Sequence, residues 1–166
     1  YFSLAEIYED IFLLERALGC FTKVEDFGVS FSQLWKDWGI ALIKMCELTG
    51  EKKYIEEAIK VFERNPRLAS TGNIDIECMY HYGCAFDILG DFSNEEAHYE
   101  RAVQVLSNIL TLDSTYAHAR YNLALALSHL AESSESIECF QKANEYFQSI
   151  VQKDQEDEMA WNEWGL

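Results

Sequence analysis

Small and large apolar residues return along the chain in two interleaved registers. An alanine recurs at Ala17, Ala58, Ala102 and Ala143, separated by 41, 44 and 41 residues. Four positions after each stands a large apolar residue: Phe21, Phe62, Leu106 and Phe147. Four positions are about one helical turn, so both members face the same neighbour. The second register is Gly39, Gly83, Ala124 and Gly165, each preceded by Trp38, Tyr82, Leu123 or Trp164. In its three complete copies an alanine follows two positions later (Ala41, Ala85, Ala126), then Leu42, Phe86 or Leu127. From each of these small residues to the next alanine of the first register is 19 residues in all three copies. Two registers that agree along the whole chain mark an internal repeat.

Each unit reads as a helical hairpin. An A helix carries the bulky–small pair, and a B helix carries the alanine and the large residue that fills the space beside the small one. The pattern predicts A helices over 31–48, 74–90 and 115–131, with another beginning at 157–166. It predicts B helices over 8–25, 51–66, 93–112 and 134–153. Gly50 and Gly90-Asp91 are the expected A-to-B turns. Ser93-Asn94-Glu95-Glu96 has the form of a capping box. Asp113-Ser114 and Asp154 stand where the next A helix needs a cap. The single proline, Pro66, is expected to end the second B helix, and Pro66 to Asn73 accounts for the one long separation. The units run 1–28 (partial), 29–72, 73–113, 114–154 and 155–166 (a beginning). Tyr1 falls inside an A helix and Leu166 follows Trp164-Gly165, so the expectation is a piece of a longer array.

Trp35-x-x-Trp38-Gly39-x-Ala41-Leu42 with Glu57-Ala58-x-x-x-Phe62 resembles the tetratricopeptide repeat. So do Met79-x-x-Tyr82-Gly83-x-Ala85-Phe86, Arg120-x-x-Leu123-Ala124-x-Ala126-Leu127 and the cut Trp161-x-x-Trp164-Gly165. The resemblance covers nearly the whole chain and departs from the family in one respect. The usual unit is about 34 residues, whereas here it is 41. The surplus lies between the small residue of helix A and the alanine of helix B, about one extra turn per arm, so hairpins longer by ~5 Å are expected. The long period resembles that of repeat proteins of intracellular bacteria.

The resemblance implies an all-α fold: a right-handed superhelical solenoid of antiparallel helix hairpins, with A helices lining a concave groove that takes a peptide or protein segment. The positions implied for the groove are Lys36, Ile40, Ile43 and Lys44 in the first complete unit. In the second they are Glu77, Tyr80, Cys84 and Asp87, and in the third His118, Tyr121, Leu125 and Ser128, with Asn162 continuing the row. Tyr brings large contact area at little entropy cost, which makes Tyr80 and Tyr121 candidate anchors. Family members that clamp a terminal carboxylate use Lys, Arg and Asn. Lys36 matches one such position, but Ile40 replaces the Asn and the later units are not basic there, so that clamp is rejected. Secretion chaperones of the family, which bind extended and partly hydrophobic segments, offer a nearer likeness to Ile40, Tyr80, Cys84, Tyr121 and Leu125. A structural or self-assembling scaffold is the alternative.

Charge narrows the partner. Acidic residues outnumber basic ones 29 to 13, a formal net charge of −16. Nucleic acid and anionic membranes need clustered Lys and Arg, so neither is expected. The partner expected is a protein or peptide that is partly hydrophobic or basic. Asp154, Glu156, Asp157 and Glu158 form an acidic corner that reads first as a solvated loop whose charges favour the following helix N-terminus, and second as a patch for a basic partner. No apolar run approaches the ~18 residues of a membrane span. Five cysteines without a CxxC pair read as reduced thiols of a cytoplasmic protein. No HExxH, phosphate-loop, GxGxxG or GxSxG motif occurs. His118 and His129 share a helix face but stand ~16 Å apart. Neither an enzyme, a cofactor nor a metal is expected.

Overall fold

The computed structural model describes residues 4–28, 30–68, 73–153, 161 and 164. The described residues are all-helical: α1 (Leu4–Asp26), α2 (Ser32–Thr49), α3 (Lys52–Glu63), α4 (Ile76–Ser93), α5 (Glu96–Leu112), α6 (Ala117–Ser134) and α7 (Ile137–Lys153). The helices expected over 8–25, 31–48, 51–66, 74–90, 93–112, 115–131 and 134–153 are present, with shifted ends. α1 is one continuous helix, so residues 4–7 do not form a separate A helix. The expected helix at 157–166 and the acidic corner at 154–158 lie outside the described residues.

The chain divides into two compact units, 1–85 and 86–166, with α4 contributing to both. In the first, α2 packs against α1 and α3. The rings of Phe21 and Trp35 each stack on Trp38 with centroids 6.0 Å apart. The Arg64 guanidinium lies over both indoles and binds Glu25 at 2.8 Å. Phe62 is fully buried against Gly39, where a Cβ would fall 2.3 Å from the ring. This is the small–large contact that the two registers predict. In the second unit α6 packs against α5 and α7, around Leu106, Ile109, Leu123 and Phe147. Burial of these apolar faces is the main stabilising force in both units.

The A-to-B turns share one local design. Gly50 (φ 68), Asn94 (φ 53) and Glu135 (φ 52) are left-handed and follow α2, α4 and α6. Their N–H groups close the preceding helices by donating to Cys46, Gly90 and Ala131 carbonyls. A hydroxyl precedes each turn: Thr49, Ser93 and Ser134 donate to the carbonyl four residues back. Gly90 therefore does not make the turn. It is helical and buried, and a Cβ there would fall 2.4 Å from the Tyr99 ring, so its role is close approach. Nor does the capping box form. Ser93 ends α4, and the N-cap of α5 is Glu95 with no side-chain cap bond.

Other ends also differ. α3 stops at Glu63, ahead of Pro66, because residue 65 precedes a proline and is steered away from helical backbone. Asp113 closes a turn by accepting from the Thr115 backbone and hydroxyl, and α6 begins later, at Ala117. Of the three left-handed turn residues, Glu135 carries the steric cost of an exposed Cβ with nothing gained from it. Glu135→Gly is expected to raise stability by ~0.5–1 kcal/mol in thermal unfolding. An unchanged or lower midpoint would show that the turn is not strained.

Candidate functional site

α2, α4 and α6 are each 18 residues long, ~27 Å, and carry the bulky–small pairs. In the first unit, Leu34, Trp35, Trp38 and Leu42 turn α2 inward. That leaves Ile40 half-buried and Lys44 exposed, the latter paired to Glu47 at 2.9 Å. Lys36 and Ile43 depart from the open lining expected of them, because both are buried. The Lys36 stem lies in the packed layer and its ammonium bonds to the Glu77 carboxylate of α4. Glu77 holds that ammonium above its ordinary pKa, against the opposing effect of burial. Lys36 and Glu77 thus form a brace from α2 to α4, and Lys36 is not a cation held ready for a carboxylate ligand.

On the same unit's part of α4, Tyr80 and Cys84 are half-buried. The Tyr80 ring meets His81 edge-on at 5.0 Å, and burial pushes the His81 imidazole below its ordinary pKa. Cys78 is buried beside Asn65, and desolvation raises its thiol to about 11. A thiol held protonated at neutral pH is a poor nucleophile.

In the second unit, α6 presents Tyr121, Leu125 and Ser128 half-buried and His118 exposed. Tyr121 packs edge-on against Phe147 of α7 at 6.2 Å. The Ser128 hydroxyl donates to the Ala124 carbonyl at 3.1 Å, so its proton is committed to its own helix. Asp87, on this unit's part of α4, lies 3.0 Å from His129 Nδ1. Asn162 lies outside the described residues.

Of the expected site residues, Ile40, Tyr80, Cys84, Tyr121 and Leu125 thus stay partly exposed, Ile43 is buried, His118 is exposed, and Lys36, Lys44, Glu77, Asp87 and Ser128 are engaged within the protein. Two groups were missed from the sequence. One is Asn65, which joins α2, the 64–75 connection and α4. The other is the carboxylate and phenol neighbourhood of His129. Each needs partners from different helices, and residue spacing alone marks neither.

Among the described residues, no group of three or more His, Cys, Asp or Glu could hold a metal ion. No described helix is long and apolar enough to cross a membrane. The family model for the tetratricopeptide repeat matches residues 76–105, which span α4 and much of α5, and 117–149, which span α6 and most of α7. No curated protein matches the chain.

Proposed function

Because the chain is a tetratricopeptide repeat protein, and such repeats generally mediate protein–protein interaction, we propose that it binds a segment of a partner protein on the A-helix faces of α2, α4 and α6. The observation that carries the reading is a set of side chains these helices do not bury. Ile40, Tyr80, Cys84, Tyr121 and Leu125 stay partly exposed while the opposite sides of the same helices are packed. Apolar and aromatic surface of this kind gains most from being covered. The net charge of −16 favours a segment that is partly hydrophobic and carries basic residues. Each unit offers its own share of such side chains. The family is typically non-enzymatic, and the reading assigns no catalytic step to the chain. Free thiols at Cys46 and Cys78, both buried, support a cytoplasmic location.

Tyr80→Ala together with Tyr121→Ala is expected to weaken partner capture at least ~10-fold, as loss of interface anchors does. Capture is measured by cross-linking and mass spectrometry, and a retained melting profile shows that the fold survives. Unchanged capture by the folded double variant would end the A-helix reading. A second reading, self-association, draws on the exposed Tyr8 and Phe12 of α1 and Ile137 of α7. Concentration-dependent sedimentation, abolished by Phe12→Ser or Ile137→Ser but not by the tyrosine variant, would favour it instead.

A further inference from the structure

We propose that His129 is a proton-operated brace holding α6 to the C-terminal half of α4. The geometry is a convergence of charge on one imidazole. Its Nδ1 lies 3.0 Å from the nearer Asp87 oxygen and 3.9 Å from Asp91 Oδ1. Asp87 and Asp91 stand one turn apart on α4 and so face the same way. From α5, the Tyr99 ring packs 5.6 Å from the imidazole and its hydroxyl donates to Asp91 at 3.0 Å. Tyr99 is itself held in place, because its ring lies directly against the bare backbone of Gly90. On α6, Glu132 adds a third carboxylate.

Nothing in the hairpin design requires this chemistry. The register of small residues places Asp87 where α2 has Ile43, and the register of alanines places Tyr99 where α3 has Ile55. Both isoleucines are buried. The first unit fills these positions with apolar side chains; the second fills them with a carboxylate and a phenol that face His129.

The direction of the response follows from the surroundings. The bond to Asp87 is the largest influence and raises the imidazole's pKa; burial opposes it, and the charges of Asp87, Asp91 and Glu132 add to the rise. A group whose pKa is raised on folding stabilises fully below its unfolded value, ~6.5 for histidine, and loses that contribution as pH rises through the folded value. Above that point a neutral imidazole can still donate from Nδ1 to Asp87. It no longer supplies the positive charge between the carboxylates, and α6 is held less firmly. The imidazole can exchange its proton with solvent, because a depression of 600 Å³ lined by Asp91, Asn94, Tyr99, His129, Glu132 and Ser133 opens beside it. The brace stands whether or not the A-helix faces bind a segment.

The test is an NMR titration of His129 in the full chain, with amide hydrogen exchange across 117–134 at pH 6 and pH 8 after correction for intrinsic exchange. The titration midpoint is expected above that of free imidazole, and α6 protection is expected to fall several-fold as His129 deprotonates. Asp87→Asn should lower the midpoint and shrink the change. Asp87→Ile with His129→Ile, which replaces both members of the pair with apolar side chains, should keep the helices and remove the pH dependence. A midpoint at or below that of free imidazole would overturn the proposal, and so would an equal loss of protection in the double-isoleucine variant.

Discussion

Phe62→Ala is expected to cost ~3–5 kcal/mol, the largest loss for any single truncation in the first unit. The ring is fully buried and fills the space that Gly39 leaves open on α2. On its other side it meets Tyr82 edge-on at 6.3 Å. Tyr82 cannot swing in to fill a cavity without giving up the 3.0 Å bond from its hydroxyl to Glu63. The hole therefore persists, and a cavity term adds to the lost transfer energy. Urea unfolding, followed by far-UV circular dichroism, measures the loss. A second variant checks the cause. Gly39→Ala alone pushes a methyl group into the ring and is expected to cost ~1–3 kcal/mol, but in the Phe62→Ala background that methyl has room. The double variant should therefore be less damaged than the sum of the two. A loss under ~1 kcal/mol for Phe62→Ala, or strict additivity, would show that ring and glycine do not act as a pair.

Asn65→Leu is expected to cost ~3 kcal/mol, although leucine is close in size and more apolar. The Asn65 amide serves as a junction. Its Oδ1 accepts from the Ser32 hydroxyl at 2.9 Å and from the Arg67 backbone at 3.0 Å. Its Nδ2 donates to the Ser32 carbonyl at 3.3 Å and to Cys78 Sγ at 3.1 Å. Ser32 can still turn to Asp75 Oδ2 at 3.0 Å, so its hydroxyl is not stranded. The Arg67 N–H and the Ser32 carbonyl have no such substitute among these bonds. Both are part-buried, so each lost bond costs ~1 kcal/mol, and loss of the buried contact to Cys78 adds a similar amount. Asn108→Leu on the exposed face of α5 is the matched control and should stay within ~0.5 kcal/mol of the parent. Equal effects at the two positions would mean that the bonds of the Asn65 amide contribute nothing to stability.

Asn65 also shows where sequence reasoning stops. A polar residue before a proline reads as loop, and nothing local reveals that it is buried. Gly90 is a related case. Glycine serves both a left-handed turn and a close approach, and only the presence of the Tyr99 ring decides between them. Asn94, four residues later, takes the turn because asparagine tolerates left-handed backbone better than most residues. On the A helices, Lys36 reads as an exposed cation. Its carboxylate stands 41 residues away on the next A helix, and pairing with it takes the charge out of solvent reach.

The sequence by itself determined the helices from α1 to α7, their order and the small–large contact of Gly39 with Phe62. Helical periodicity and the fit of a ring over a glycine are written into residues that are near one another along the chain, and burial of apolar surface is non-directional enough to follow from pattern alone. The tertiary structure decided which polar groups meet: Lys36 with Glu77, Asn65 with Ser32 and Cys78, and His129 with Asp87 and Asp91. A hydrogen bond survives only over a few tenths of an ångström. Whether two charges on different helices meet therefore depends on helix packing distances that no residue pattern encodes.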